Sequence, residues 1–183
     1  MNTKPEKILV AGAGIAGLGV ALALGDGHRE VTILDRDPAP PDASPEDAFN
    51  TWERRGATQL RHSHVFLGRL TTLIRDRYPR LLDELLQAGA RIFTFEDALP
   101  PTLKDAYAQA PGDDQLSILF SRRTTLELVM RRHAARLPGV TFIPDAGVRG
   151  LLTHRDGQSL VVDGLTVTRD GKNEEMRADV TVD

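Results

Sequence analysis

The apolar positions fall into runs of two kinds. Residues 8–11 (ILVA) form a short unbroken apolar run, and residues 30–35 (EVTILD) mix polar with apolar positions and end on an acid; both read as strands. Between them residues 15–25 are small and apolar throughout, which reads as a helix packed closely on its neighbours. Four prolines between Pro38 and Asp47 break all periodicity and predict a loop. Val65–Tyr78 carries Phe66, Leu70, Leu73 and Ile74 at helical spacing and stops at Pro79; Leu81–Ala88 is a second short helix closed by Gly89. Residues 96–115 hold Pro100, Pro101, Pro111 and Gly112 and read as a long excursion, with a strand near Ile92–Phe95 before it.

The second half resumes with a strand at Leu116–Ser121. Thr124-x-x-Glu127 then has the form of a capping box. The helix behind it presents Leu126, Val129, Met130, His133, Ala134 and Leu137, and Pro138-Gly139 ends it. Val140–Ile143 is a candidate parallel strand. Beyond it Val148–Thr153, Leu160–Thr168 and Glu174–Arg177 follow one another with only turn residues between them, Asp156-Gly157 and Asp170-Gly171. With no helix to carry a crossover they form an antiparallel meander. Val180–Val182 begins another apolar strand. The fold class this predicts is α/β: a Rossmann-like parallel sheet with a three-stranded antiparallel meander.

Composition changes this picture little and excludes several functions. At 183 residues the chain is about one domain, and its net charge of −3 argues against nucleic acid as a partner. It has no cysteine, so disulfides, thiolate catalysis and thiolate-bound metals are excluded. Nothing in the pattern predicts stable membrane insertion, and MNTKPEK has no h-region of its own, so a cytoplasmic location is expected.

Chemistry enters at the first turn. The first strand runs into Gly12-Ala13-Gly14-Ile15-Ala16-Gly17, the G-x-G-x-x-G pattern, and Asp35 closes the second strand. Gly12 allows a sharp turn, Gly14 lets backbone approach a phosphate, and Gly17 lets the helix lie close on the strand. The helix start offers unpaired N–H groups to an anion, and an acid at the Asp35 position accepts hydrogen bonds from ribose hydroxyls. These residues predict a dinucleotide site. His62 and His64 sit one residue apart, but no third ligand at metal-binding spacing accompanies them, and no metal is expected. No triad or carboxylate pair stands out, so no catalytic side chain is assigned.

Three segments carry a family resemblance. The glycine pattern extends to Ala21 as G-x-G-x-x-G-x-x-x-A. Arg54-Arg55-Gly56-Ala57-Thr58-Gln59, followed by Arg61-His62-Ser63-His64, is similar to an insert reading R-x-G-x-x-Q-x-x-H-x-H. Ser121-Arg122-Arg123-x-x-Leu126-Glu127 is similar to the family's S-R-x-x-L-E helix start. Together with the meander and Ala178-Asp179-Val180, the chain resembles, over essentially its whole length, the N-terminal FAD-binding part of class A flavoprotein monooxygenases, the para-hydroxybenzoate hydroxylase-like and flavin epoxidase-like enzymes. Asp35-Arg36 departs from the usual Glu-Arg by one methylene.

The resemblance implies an FAD-dependent monooxygenase that uses NAD(P)H and O2 to hydroxylate or epoxidise a small hydrophobic or aromatic substrate. It implies FAD contacts for Arg36, for Arg54 or Arg55 with Arg55 preferred, for Arg123, and for Val148 at the adenine edge. Gln59, His62 and His64 are expected near the flavin or substrate. The resemblance also implies that residues 1–183 are the N-terminal part of an FAD-binding domain of the glutathione-reductase type, with a long insert at 37–115 and the meander at 148–178. The substrate half would then lie outside these residues, as a C-terminal partner chain or a continuation, and a homo-oligomer is a further expectation. Other flavin enzymes (halogenases, reductases), an NAD-dependent dehydrogenase and a non-catalytic nucleotide-binding module share parts of this pattern.

Overall fold

The computed structural model describes residues 4–183. Its elements are β1 (Glu6–Ala11), α1 (Ile15–Leu24), β2 (Arg29–Leu34), α2 (Pro45–Thr51), β3 (Ser63–Phe66), α3 (Gly68–Arg77), α4 (Pro79–Gln87), β4 (Arg91–Phe93) and α5 (Pro101–Lys104). After these come β5 (Ile118–Arg122), α6 (Arg123–Ala134), β6 (Val140–Ile143), β7 (Gly147–Asp156), β8 (Ser159–Arg169), β9 (Lys172–Arg177) and β10 (Val180–Val182). The chain divides into two compact units. The first comprises Met1–Pro41, Glu53–Thr58 and Met130–Asp183; the second comprises Asp42–Trp52 and Gln59–Val129.

The first unit holds a parallel sheet in the order β10-β1-β2-β6. Ile8 pairs with Val31 on one side and with Val180 on the other, and Leu34 pairs with Ile143. Strand alternation gives this sheet two apolar faces. Ile8, Val10, Val31 and Ile33 point to one face, against Ala13 and Ala21 of the first turn and α1 and Ala134 at the end of α6. Leu9 and Leu34 point to the other face, where Leu165 and Val167 of β8 and Ala146 cover them. A parallel strand buried on both sides needs apolar residues at consecutive positions, which is why ILVA is unbroken. Each such side chain contributes about 1.5–3 kcal/mol by leaving water. The cover on the second face is the antiparallel sheet β7-β8-β9, joined as the meander pattern predicts. Asp170 and Gly171 both have positive φ (50° and 72°), the tight-turn geometry that Asp-Gly supports.

The second unit is built on a smaller antiparallel sheet, β3-β5-β4, with β5 central. His64 pairs with Ser121 and Ile92 with Leu119. Leu81, Leu82 and Leu85 on one face of α4, Ile74 of α3, and Leu119 of β5 are buried.

Four expectations need correction. The loop expected through Asp47 ends at Ser44. The Ser44 hydroxyl accepts from the Asp47 N–H and Pro45 occupies the first turn of α2, so that proline starts a helix. The helix expected over Val65–Tyr78 begins only at Gly68; Val65 and Phe66 belong to β3, because pairing with β5 overrides their helical spacing. The strand near Ile92–Phe95 is Arg91–Phe93, and it stops where Phe95 enters a 3-10 turn. The capping box at Thr124 does not form. Residue 124 lies inside α6, its hydroxyl donates to the Leu60 carbonyl at 2.7 Å, and Glu127 accepts from Arg123 Nε at 2.7 Å.

The first turn depends on two glycines in different ways. A β-carbon on Gly17 would lie 2.0 Å from the Gly12 carbonyl oxygen, whereas one on Gly14 would have no heavy atom within 4 Å. Gly17→Ala is therefore expected to cost about 1–3 kcal/mol of stability in urea unfolding, and Gly14→Ala less than about 1 kcal/mol. Equal losses would contradict this packing.

Candidate functional site

The site grows from the end of β1. Gly12 takes a φ of 97°, which reverses the chain out of the strand, and its N–H donates to the Leu34 carbonyl at 2.7 Å. Gly14 is the N-cap of α1. No side chain caps this helix, and its first turn contains no acid. The N–H groups of the first turn have no partners within the helix, and they carry the positive end of its dipole. The Ala13–Gly14 peptide is trans, so its carbonyl and its N–H point in opposite directions. The Ala13 carbonyl accepts from Arg54 Nη1 at 3.0 Å, so the Gly14 N–H faces away from Arg54.

Arg54 belongs to a buried charge network. Its Nη2 contacts both oxygens of Asp35 at 2.8 and 3.1 Å, and its Nε lies 3.4 Å from Asp37 Oδ2. Arg131 Nη1 reaches Asp35 Oδ2 at 2.7 Å, and its guanidinium sits 4.8 Å from the centre of the Phe142 ring. Asp35, Asp37, Arg54 and Arg131 are all at least nine-tenths buried, two of each sign. Asp37 also accepts from the N–H groups of Arg55 (3.1 Å) and Gly56 (3.2 Å) and from Arg55 Nε (3.2 Å). Burial alone would raise the Asp37 pKa. The Gly56 and Arg55 donors and the nearby Arg54 charge outweigh it and hold the carboxyl below its ordinary value.

Sequence reasoning assigned Asp35 to a ribose. In the structure the residue is 2% exposed, and its carboxylate oxygens take four contacts from the protein: two from Arg54, one from Arg131 and one from the Asp37 N–H at 3.3 Å. Of the arginine pair in the insert, Arg54 is the one bound to the glycine turn. Arg55 is 72% exposed in its side chain and also donates to the Arg36 carbonyl. Arg36 packs its guanidinium against Gly56. Arg36, Arg55 and Val148 meet along one open groove of about 520 Å³, together with Gly147, Arg149 and Thr168. Arg131 and Asp37 were missed as partners. Nothing local in the sequence joins residues 35, 37, 54 and 131, and only the chain's path through space does.

The remaining expected residues gather in the second unit. Gln59 and His62 close a turn (His62 N–H to Gln59 carbonyl, 3.0 Å), and the Arg123 N–H donates to the His62 carbonyl at 3.1 Å. Arg123 pairs with the fully buried Glu127. His64 stands edge-on to Phe66, ring centres 5.6 Å apart. Burial and the Arg123 charge lower its pKa below the ordinary histidine value, against an opposing pull from Glu127, which favours the neutral imidazole. Arg122, the neighbour of Arg123, is engaged elsewhere: it pairs with Glu46 at 2.6 Å and lies 4.2 Å over the Phe49 ring. Among the described residues no three His, Asp or Glu side chains converge as a metal-binding group, and no helix is long and apolar enough to cross a membrane.

This chain belongs to the family of FAD-dependent oxidoreductases described by the DAO model, which matches residues 7–158. Its fold is shared by PqsL, a probable FAD-dependent monooxygenase from Pseudomonas aeruginosa (15% identity, TM-score 0.63, covering 97% of this chain and 42% of that one). It is shared too by 2-methyl-3-hydroxypyridine-5-carboxylic acid oxygenase (16%, TM-score 0.59, 97% and 39%) and by CmlS, a flavin-dependent halogenase (16%, TM-score 0.61, 98% and 29%). The chain thus spans less than half the length of each. No curated protein sequence matches it.

The Asp37 contacts give a pH dependence. Because its folded pKa lies below the ordinary value of 3.8, its contribution is complete above about pH 5 and is lost as pH falls through the folded pKa. Urea titrations between about pH 2 and 6 should show wild-type stability falling at the acid end. Asp37→Asn should be less stable at neutral pH and flatter toward acid. An unchanged slope would remove Asp37 from the network's energetics.

Proposed function

We propose that this chain supplies the ADP-binding part of the FAD site in a flavin-dependent monooxygenase. In this reading the parent enzyme uses NAD(P)H and O2 to hydroxylate or epoxidise a small hydrophobic or aromatic substrate. The observation that carries the proposal is the cradle at residues 12–17. The missing β-carbon of Gly14 leaves open space beside an uncapped helix start. A pyrophosphate fits that chemistry, because it accepts from outward N–H groups and carries the negative charge the helix dipole favours. The groove holding Val148, Arg36 and Arg55 would take the adenosine, with guanidinium faces available for stacking on the base.

FAD, when bound, supplies the redox chemistry: it takes reducing equivalents from NAD(P)H and passes them to O2 in oxygenating the substrate. The residues of this chain bind and orient. Arg54 fixes the Ala13 peptide, and with it the direction of the Gly14 N–H. Within the second unit Arg123 is held by Glu127, and burial favours the neutral form of His64. The family membership and the fold shared with two oxygenases support this reading; the fold shared with a halogenase supports a flavin-dependent halogenation as the second reading.

The test is FAD titration of the purified chain, read by visible absorbance and calorimetry, with Gly14→Asp as the variant. Aspartate is a favourable N-cap, so the fold should keep its stability or gain slightly. Its carboxylate would fill the cradle and repel the pyrophosphate, weakening FAD and ADP by at least about tenfold. A wild-type chain that binds neither ligand would sink the proposal.

A further inference from the structure

We propose that Asp35 is withheld from the nucleotide. Its carboxylate is the internal counter-ion that positions Arg54 on the glycine turn, so the site reads phosphate charge and leaves the ribose hydroxyls unread. It therefore accepts adenosine nucleotides altered at the 2′ and 3′ positions. The inference rests on the reading of residues 12–17 as the pyrophosphate cradle.

An acid at the end of the second strand of this unit ordinarily discriminates in two ways. It accepts from the ribose diol, and it repels a phosphate placed on the 2′ oxygen. Both need a carboxylate oxygen that faces the ligand and keeps its charge uncompensated. Asp35 meets neither condition. Arg54 bridges its two oxygens at 2.8 and 3.1 Å, Arg131 takes Oδ2 at 2.7 Å, and the Asp37 N–H takes Oδ1. A carboxylate offers about four acceptor positions, and the four contacts use them. Turning Asp35 outward would take a carboxylate away from two buried guanidiniums, and a buried charge that loses such a partner is strongly destabilising. Aspartate also reaches one methylene less far than glutamate, which suits an internal tether more than an outward contact.

The groove points the same way. Its lining holds three cations, Arg36, Arg55 and Arg149, and two acids, Asp145 and Asp170, and does not include Asp35. Arg149 Nε is held by the Thr168 hydroxyl at 3.0 Å, and Arg55 is held by Asp37. With three cations against two acids in the lining, and with Asp35 compensated by Arg54 and Arg131, added negative charge on the ribose meets a net positive groove. Asp35 acts here as a positioning residue: it works through Arg54 and the Ala13 carbonyl, not by touching the ligand.

The test is calorimetric titration of the 183-residue chain with ADP, 2′,3′-dideoxy-ADP and 2′-phospho-ADP. The three should bind within about threefold of one another. Hydrogen bonds from a diol to a carboxylate would instead cost the dideoxy analogue about tenfold or more, and an outward Asp35 would penalise the 2′-phosphate. A loss beyond threefold for either analogue overturns the inference and leaves the pyrophosphate reading standing. Failure to bind ADP itself overturns both. Asp35→Asn adds a readout that a merely structural role does not move. It should weaken ADP and dideoxy-ADP by the same factor, and unequal factors overturn the proposal. Should that variant not fold, the wild-type comparison decides alone.

Discussion

Two carboxylates and two guanidiniums taken out of water together are the constraint on which the first unit depends. Asp35, Asp37, Arg54 and Arg131 come from the end of β2, the segment after it, the return segment at residues 53–58, and the last part of α6. Any one of them alone would be too costly to bury. Together they balance in charge, and their hydrogen bonds offset desolvation. Replacing such a set by apolar residues is often neutral for stability, so its value lies in geometry. Arg54 must sit where Asp35, Asp37 and the Ala13 carbonyl can all be reached, and that fixes the glycine turn.

The parallel sheet makes the arrangement possible. Its two apolar faces are filled, one by α1 and the end of α6, the other by the meander. The ends of β1 and β2 are held in register by Leu34 opposite Ala11 and by the Gly12 N–H bonded to the Leu34 carbonyl. The glycine turn and Asp35 therefore emerge side by side. Gly17 permits the close approach: its missing β-carbon makes room for the Gly12 carbonyl. The second unit repeats the logic with one buried charge, Glu127, held by Arg123 within a single helix.

Much of this was legible in the residues. The glycine turn, both flanking strands, the parallel partner at Val140–Ile143 and the three-strand meander all follow from period, turn residues and strand length, which act over a few positions. Errors fell where a distant partner changed the outcome. Val65 and Phe66 became strand because β5 lies beside them, and Thr124 left its capping role because the Leu60 carbonyl was in reach. The Ser44-Pro45 start of α2 is different: its signal was local, and the density of prolines concealed it.

The order of residues alone specifies the class of unit: a strand, a turn that only glycines can make, a close-packed helix, and an acid at the next strand's end. These are local demands of backbone geometry, and they hold wherever the chain goes. How that acid is used is set by packing in three dimensions. Whether a carboxylate faces a ligand or a buried arginine depends on groups separated by 19 and 96 residues, and no local pattern encodes their meeting. Desolvation made the choice, because once Arg54 and Arg131 are buried, the charges nearest to them must be their partners.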